Sequence, residues 1–192
     1  MTVATAPRFV RDQRALDELL TAAKQMACRH CHRQGTLVGH GRLTGYAERG
    51  GEREVRGRRL LCSTRGRAQG CGRTFSVLLA TVVARFTARA TTIGALLEAV
   101  VLGLSRKVAW ERVQSNGSNA PGLSLRSGYR LWDRLLAAQS AIRAALFDRT
   151  PPPASSDARP IAQVLAHLRL ALGDSGCLLA SFQLALQRGL FD

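Results

Sequence analysis

The sequence predicts an α+β chain, mostly α: a small metal-held module of β-hairpins at the N-terminus, then a helical domain, then a helical tail. Three observations carry this. Four cysteines follow the pattern C-x2-C-x30-C-x8-C at Cys28, Cys31, Cys62 and Cys71. Around them the chain is rich in glycine, arginine and short apolar pairs, too little apolar surface for an unaided core. From Val77 onward, apolar residues recur at helical spacing instead.

Length and charge narrow the possibilities. The 192 residues allow one ordinary domain or two small ones, and 46% hydrophobic content argues against wholesale disorder. The net charge is +15, and of 28 basic residues only Lys24 and Lys107 are lysine, leaving 26 arginines. A GC-rich genome would favour arginine and alanine, but not the excess over acid. That excess points to a polyanion, nucleic acid first. It is localised: residues 28–89 carry 13 Arg and 3 Glu, 106–149 carry 8 basic and 3 acidic residues, and 150–192 carry 3 of each. No signal peptide is visible, and the apolar stretch Ile93–Leu104 is interrupted by Glu98 and too short to span a bilayer. The expectation is a cytoplasmic, nucleoid-associated bacterial protein without a membrane partner. In a reducing compartment clustered cysteines serve as metal ligands more often than as disulfides.

The elements follow in order. Residues 1–27 should hold an N-terminal helix, with Phe9, Leu16, Leu19, Leu20 and Ala23 on one face. Residues 28–78 form the cysteine module, with strand-sized pieces at Thr36–Val38, Val55 and Leu60-Leu61 and a hairpin turn at Gly50-Gly51. Residues 79–149 form the helical domain. Its helices run over 91–103 from a Thr91 or Thr92 cap, over 105–115 from a Ser105 cap, and over 124–148 from a Ser124 cap. The last has the apolar stripe Leu125, Tyr129, Trp132, Leu135, Leu136, Ile142, Leu146 and Phe147, with Gly128 lowering helicity in its first turn. Residues 150–160, with three consecutive prolines, are a linker. Residues 161–192 are a helical hairpin with Cys177 in its core.

A CxxC turn and a second distant cysteine pair can complete a tetrahedron of thiolates around Zn²⁺, a closed structural site with no position for water. Folding would then be coupled to metal binding. Several alternatives stay open on spacing alone. His30, His32 or His40 could replace one cysteine, the cysteines could be unrelated buried residues, or the CxxC could be a redox pair. The second pair departs from CxxC because eight residues intervene.

The segments "CRHCHRQG", "RGRRLLC" and "CGRTFS" resemble the N-terminal zinc ribbon of bacterial insertion-sequence transposases, which runs into a helix-turn-helix. The resemblance covers roughly residues 26–148. It implies Cys28, Cys31, Cys62 and Cys71 as ligands, Arg58, Arg59, Arg73 and Phe75 as the ribbon hairpin and its packing, and a helix-turn-helix over Arg106–Arg134. Arg29 and His32 stand where the family has proline and glycine, and the second knuckle is longer.

The arginines then sort by place. Arg56, Arg58, Arg59, Arg65, Arg67 and Arg73 surround the second knuckle and are candidate phosphate contacts. Arg106, Lys107 and Arg112 suit phosphate contacts from the middle helix. Arg126, Arg130 and Arg134 form an i, i+4, i+8 row at the start of the long helix, where a helix-turn-helix reads base edges. The family's catalytic domain needs three carboxylates for two Mg²⁺. No such triad, phosphate loop or nucleophile constellation is present, so a non-enzyme is expected. The functional expectation is a DNA-binding protein of mobile-element origin, with duplex DNA as partner; residues 161–192 are expected to complete the helical core or to associate with a second copy, rather than to dock a transposase. The alternatives are a zinc-stabilised protein-interaction adaptor and an RNA-binding protein, with a metal-dependent nuclease disfavoured.

Overall fold

The computed structural model describes residues 4–66, 69–115, 122–154, 157–174 and 176–191. Among them the order is β1 (Phe9–Val10), α1 (Gln13–Ala22), a 3-10 turn (Ala23–Gln25), β2 (Leu37–Tyr46), β3 (Arg53–Cys62), β4 (Thr74–Leu79), α2 (Ala90–Val101), α3 (Arg106–Ser115), α4 (Leu125–Phe147), α5 (Pro160–Leu172) and α6 (Leu178–Leu186). The chain divides into two compact units: Met1–Gly45 with Arg53–Ala80, and Tyr46–Glu52 with Thr81–Asp192.

The first unit corrects the expected fold class. The strands do not form an N-terminal ribbon of hairpins followed by helices. They form one four-stranded mixed sheet of order β1-β4-β3-β2, with helices both before and after its long strands. Two contacts produce this. Phe9 and Val10 pair in parallel with Leu78 and Leu79, so the chain's first residues join the same sheet as the strand leaving the cysteine module. β3 and β4 then pair antiparallel, Leu60 opposite Phe75 and Arg58 opposite Val77. The helix expected within 1–27 accordingly spans only Gln13–Ala22, because Asp12 Oδ1 accepts the Ala15 N–H at 2.9 Å and caps its start there. The apolar face of α1 (Leu16, Leu19) covers one face of the sheet, in a core with Leu37, Leu60, Phe75 and Val77.

The second unit is helical. α2 carries no side-chain cap of its own; Thr91 and Thr92 do not perform the expected task. Glu48 of the hairpin turn replaces them: its carboxylate accepts the Thr92 hydroxyl at 2.7 Å and the Arg89 N–H. Its neighbour Arg49 donates to the Val113 carbonyl at the end of α3, 3.0 Å away. An acid thus meets a helix N-terminus and a base meets a helix C-terminus, each matched in sign to the helix dipole. Ser105 and Ser124 cap α3 and α4 as expected.

Gly128 sets the rotation of α4. A Cβ there would lie 2.5 Å from Trp110 Cδ2, so the indole packs against bare helix backbone. The indole N–H donates to the Ser124 carbonyl at 3.1 Å, fixing the crossing. Gly128, Leu131, Leu135, Ile142 and Leu146 therefore face inward. This corrects the expected stripe, since Tyr129, Leu136 and Phe147 are exposed. α5 and α6 complete the core with Leu165, Leu168, Leu179 and Phe182. Cys177 is not in a helix core: it precedes α6, half-buried beside a pocket that Glu98 and Leu165 also line.

Candidate functional site

The four predicted cysteines meet. Cys28, Cys31, Cys62 and Cys71 place their sulfurs within 4.8 Å of one another, and all are free thiols. Cys28 and Cys71 sulfurs are 3.9 Å apart, Cys31 and Cys62 sulfurs 3.7 Å. Tetrahedral ligands on metal–sulfur bonds of about 2.3 Å stand roughly 3.8 Å apart, so the donor set fits a four-thiolate metal site. No histidine joins this cluster among the described residues. His30 instead sets its ring edge-on to Phe75, with centroids 5.8 Å apart, and His40 lies exposed on β2.

The two knuckles close by the same backbone device despite their unequal spacing. After Cys31, His32 turns left-handed at φ 59° and its N–H donates to the Cys28 carbonyl at 2.8 Å. After Cys71, Gly72 turns left-handed at φ 72° and its N–H donates to the Cys62 carbonyl at 2.9 Å. In each, a backbone N–H also points at the first sulfur: His30 N lies 3.4 Å from Cys28 Sγ, and Cys71 N lies 3.2 Å from Cys62 Sγ. The second knuckle has six more residues than the first, and the Gly70 N–H closes it by donating to the Ser63 carbonyl at 2.9 Å. Gly70 has no alternative, because a Cβ would sit 2.2 Å from that carbonyl oxygen and 2.7 Å from Cys62 Sγ. A hydrogen bond from Arg33 to the Gln69 carbonyl ties the first knuckle to this loop.

The thiols are not equivalent. Burial pushes Cys28 up to about 11 against the His30 and Cys31 N–H groups that favour its thiolate. Burial would raise Cys62 as well, but the Thr36 hydroxyl, the Cys71 N–H and the neighbouring thiols outweigh it and bring Cys62 down to about 7. Thr36 Oγ1 lies 3.2 Å from Cys62 Sγ. Thr36 is a participant that sequence reasoning missed; it lies 26 residues from Cys62, and only the fold brings them together.

The arginines expected around the second knuckle separate. Arg56, Arg58 and Arg59 lie along β3, and Arg73 immediately precedes β4. Alternation puts Arg56 and Arg58 on the face that α1 covers, where the Nε of each is buried. Arg56 crosses Gly45 of β2, its Cδ 2.5 Å from where a glycine Cβ would stand. Arg59 points to the opposite face and is exposed, as are Arg65 and Arg73. Arg67 lies outside the described residues. In the second unit, Arg106, Lys107, Arg112, Arg126, Arg130 and Arg134 are all exposed. Arg106 rests over the Tyr129 ring, 5.5 Å from its centroid, a partner the sequence had placed in the apolar stripe.

None of the described helices is long and apolar enough to cross a membrane. No protein-family model, curated protein or solved structure matches the chain.

Proposed function

We propose that this is a DNA-binding protein whose four cysteines hold a structural Zn²⁺. The observation that carries the reading is the exposed arginine row of α4: Arg126, Arg130 and Arg134 stand on successive turns at its N-terminal end. Arg106, Lys107 and Arg112 on α3 supply phosphate contacts, and the Tyr129 ring holds Arg106 by its quadrupole. The nearby acids are few: Glu111 engages Lys107 at a loose 3.9 Å, both exposed, an ion pair of little strength. Guanidinium groups at the start of α4 read guanine edges in the major groove through paired N–H donors. Thiolate softness and spacing select zinc, which closes both knuckles and leaves no site for substrate. In this reading the protein acts by binding rather than turnover. The "CGRTFS" segment motivates an origin in a mobile element as an accessory or regulatory factor.

Duplex affinity measured against salt tests the proposal. Each phosphate neutralised contributes about 0.9 to the slope of log affinity against log salt. Arg126→Ser with Arg130→Ser should weaken duplex binding and relax its sequence preference, while Lys107→Ser should weaken all sequences alike. Absent or salt-independent duplex binding overturns it. Metal analysis of the purified protein should return one zinc per chain.

A further inference from the structure

A second surface in the first unit goes beyond the α4 reading and does not depend on it. The sheet has two faces, and α1 covers only one. Gly39 marks the covered face, since a Cβ there would touch Leu20 of α1 at 3.9 Å. Thr44 marks the other, because Arg53 donates to its hydroxyl at 3.2 Å. By alternation, His40 and Arg42 share the open face with Thr44, and Arg59 with Arg53. The antiparallel register adds Thr74 and Ser76, opposite Leu61 and Arg59.

The charge on this face is one-sided. Arg42, Arg53 and Arg59 are exposed there. β2 and β4 contain no acid, and the one acid of β3, Glu54, alternates onto the opposite face. The floor between the cations is apolar and half-exposed, formed by Val38, Val55 and Leu61. Phosphate alone needs only the cations. An apolar floor beside guanidinium planes and an imidazole also accepts the flat faces of unstacked bases, and the Thr and Ser hydroxyls can bond their edges. A duplex keeps its base faces stacked inside and has no use for such a floor.

We infer that the open face of the β2–β3–β4 sheet binds single-stranded nucleic acid, with Arg42 and Arg59 on its phosphates and the apolar floor under its bases. The occupant follows from charge complementarity and from the combination of cations with apolar ground.

Fluorescence anisotropy on the full-length protein tests this. The probes are a labelled oligo-deoxythymidine of about fifteen nucleotides and a blunt duplex of equal length. Arg42→Ser with Arg59→Ser should weaken oligo-deoxythymidine binding by about tenfold and flatten its salt slope by about 1.4, two contacts at roughly 0.7 each. Duplex binding should change far less, and Arg11→Ser, exposed on the same unit, should leave both unchanged. The zinc content and melting temperature of each variant report folding. The converse variant, Arg126→Ser with Arg130→Ser, should spare single-strand binding, so failure of the α4 reading and failure of this one are separable. Unchanged single-strand affinity in the Arg42/Arg59 variant overturns the inference. So does an equal loss for both probes, which marks a generic cationic patch, or equal displacement by polyglutamate, which marks an acidic protein partner.

Discussion

Two glycines in similar settings have opposite reasons to be there. Gly94 lies inside α2 with nothing within 4 Å of where a Cβ would stand, whereas at Gly128 in α4 that Cβ would meet Trp110 at 2.5 Å. Gly94→Ala should therefore stabilise the protein by about 0.5–1 kcal/mol, the helix-propensity difference. Gly128→Ala gains the same propensity but forces the indole aside, a strain of about 1–3 kcal/mol, and should lower stability on balance. Urea melts of the two variants check the pair of signs. In the four-cysteine cluster, the Thr36 hydroxyl favours the Cys62 thiolate. Thr36→Val removes that support and should weaken zinc retention in competition with a chelator.

At the scale of elements, the segment Tyr46–Glu52 of the second unit caps that unit's own helices, with Glu48 at the start of α2 and Arg49 at the end of α3. Glu48→Ala should lower stability by about 1–2 kcal/mol, the ordinary worth of a lost N-cap. Burial raises the Glu48 carboxyl above its usual 4.5, despite the Thr92 and Arg89 bonds that oppose this. A raised group favours the fold most below its ordinary value and loses that contribution as pH rises through the folded one. Melting temperatures should therefore show a decline in that range that Glu48→Gln abolishes. The sequence foresaw the turn at Gly50-Gly51, which takes the left-handed conformation at φ 79° and 69°. Nothing in it announced that Glu48 and Arg49 have helix ends as their partners, because a cap supplied from 44 residues away leaves no local pattern.

At the scale of the whole molecule, two units rest on different supports. The first places its sheet around a four-sulfur cluster; the second has a core of its own in which Leu168 is fully buried and Phe182 almost so. Structural zinc supplies about 10–16 kcal/mol of apparent binding free energy, as much as a whole domain's stability. With the proposed zinc bound, a strong zinc chelator should unfold the sheet while most helical circular dichroism survives; uniform loss of both signals would contradict separate supports. Phe182→Ala should cost about 3–5 kcal/mol, which makes the residues after the proline-rich segment part of the helical core rather than a dispensable tail.

By itself the sequence determined the four cysteines that cluster, the serine caps of α3 and α4, the bounds of α2, α3 and α4 to within a residue or two, and the concentration of positive charge in two regions. These are local or compositional properties: spacing along a helix, a CxxC turn, a capping hydroxyl, a count of charges. Only the tertiary structure decided that residues 9 and 10 close the sheet as a parallel strand, that Gly128 against Trp110 turns Tyr129 outward, and that Arg58 and Arg59, adjacent in sequence, point to opposite faces. Strand pairing and side-chain sidedness depend on which distant surface becomes buried, and two residues of β1 carry too short a pattern to show theirs. The long second knuckle joins both lists. Its cysteines were readable, but its closure through Gly70 and Gly72 required the folded backbone, because hydrogen bonds between the two ends of a long intervening segment are set by where those ends meet.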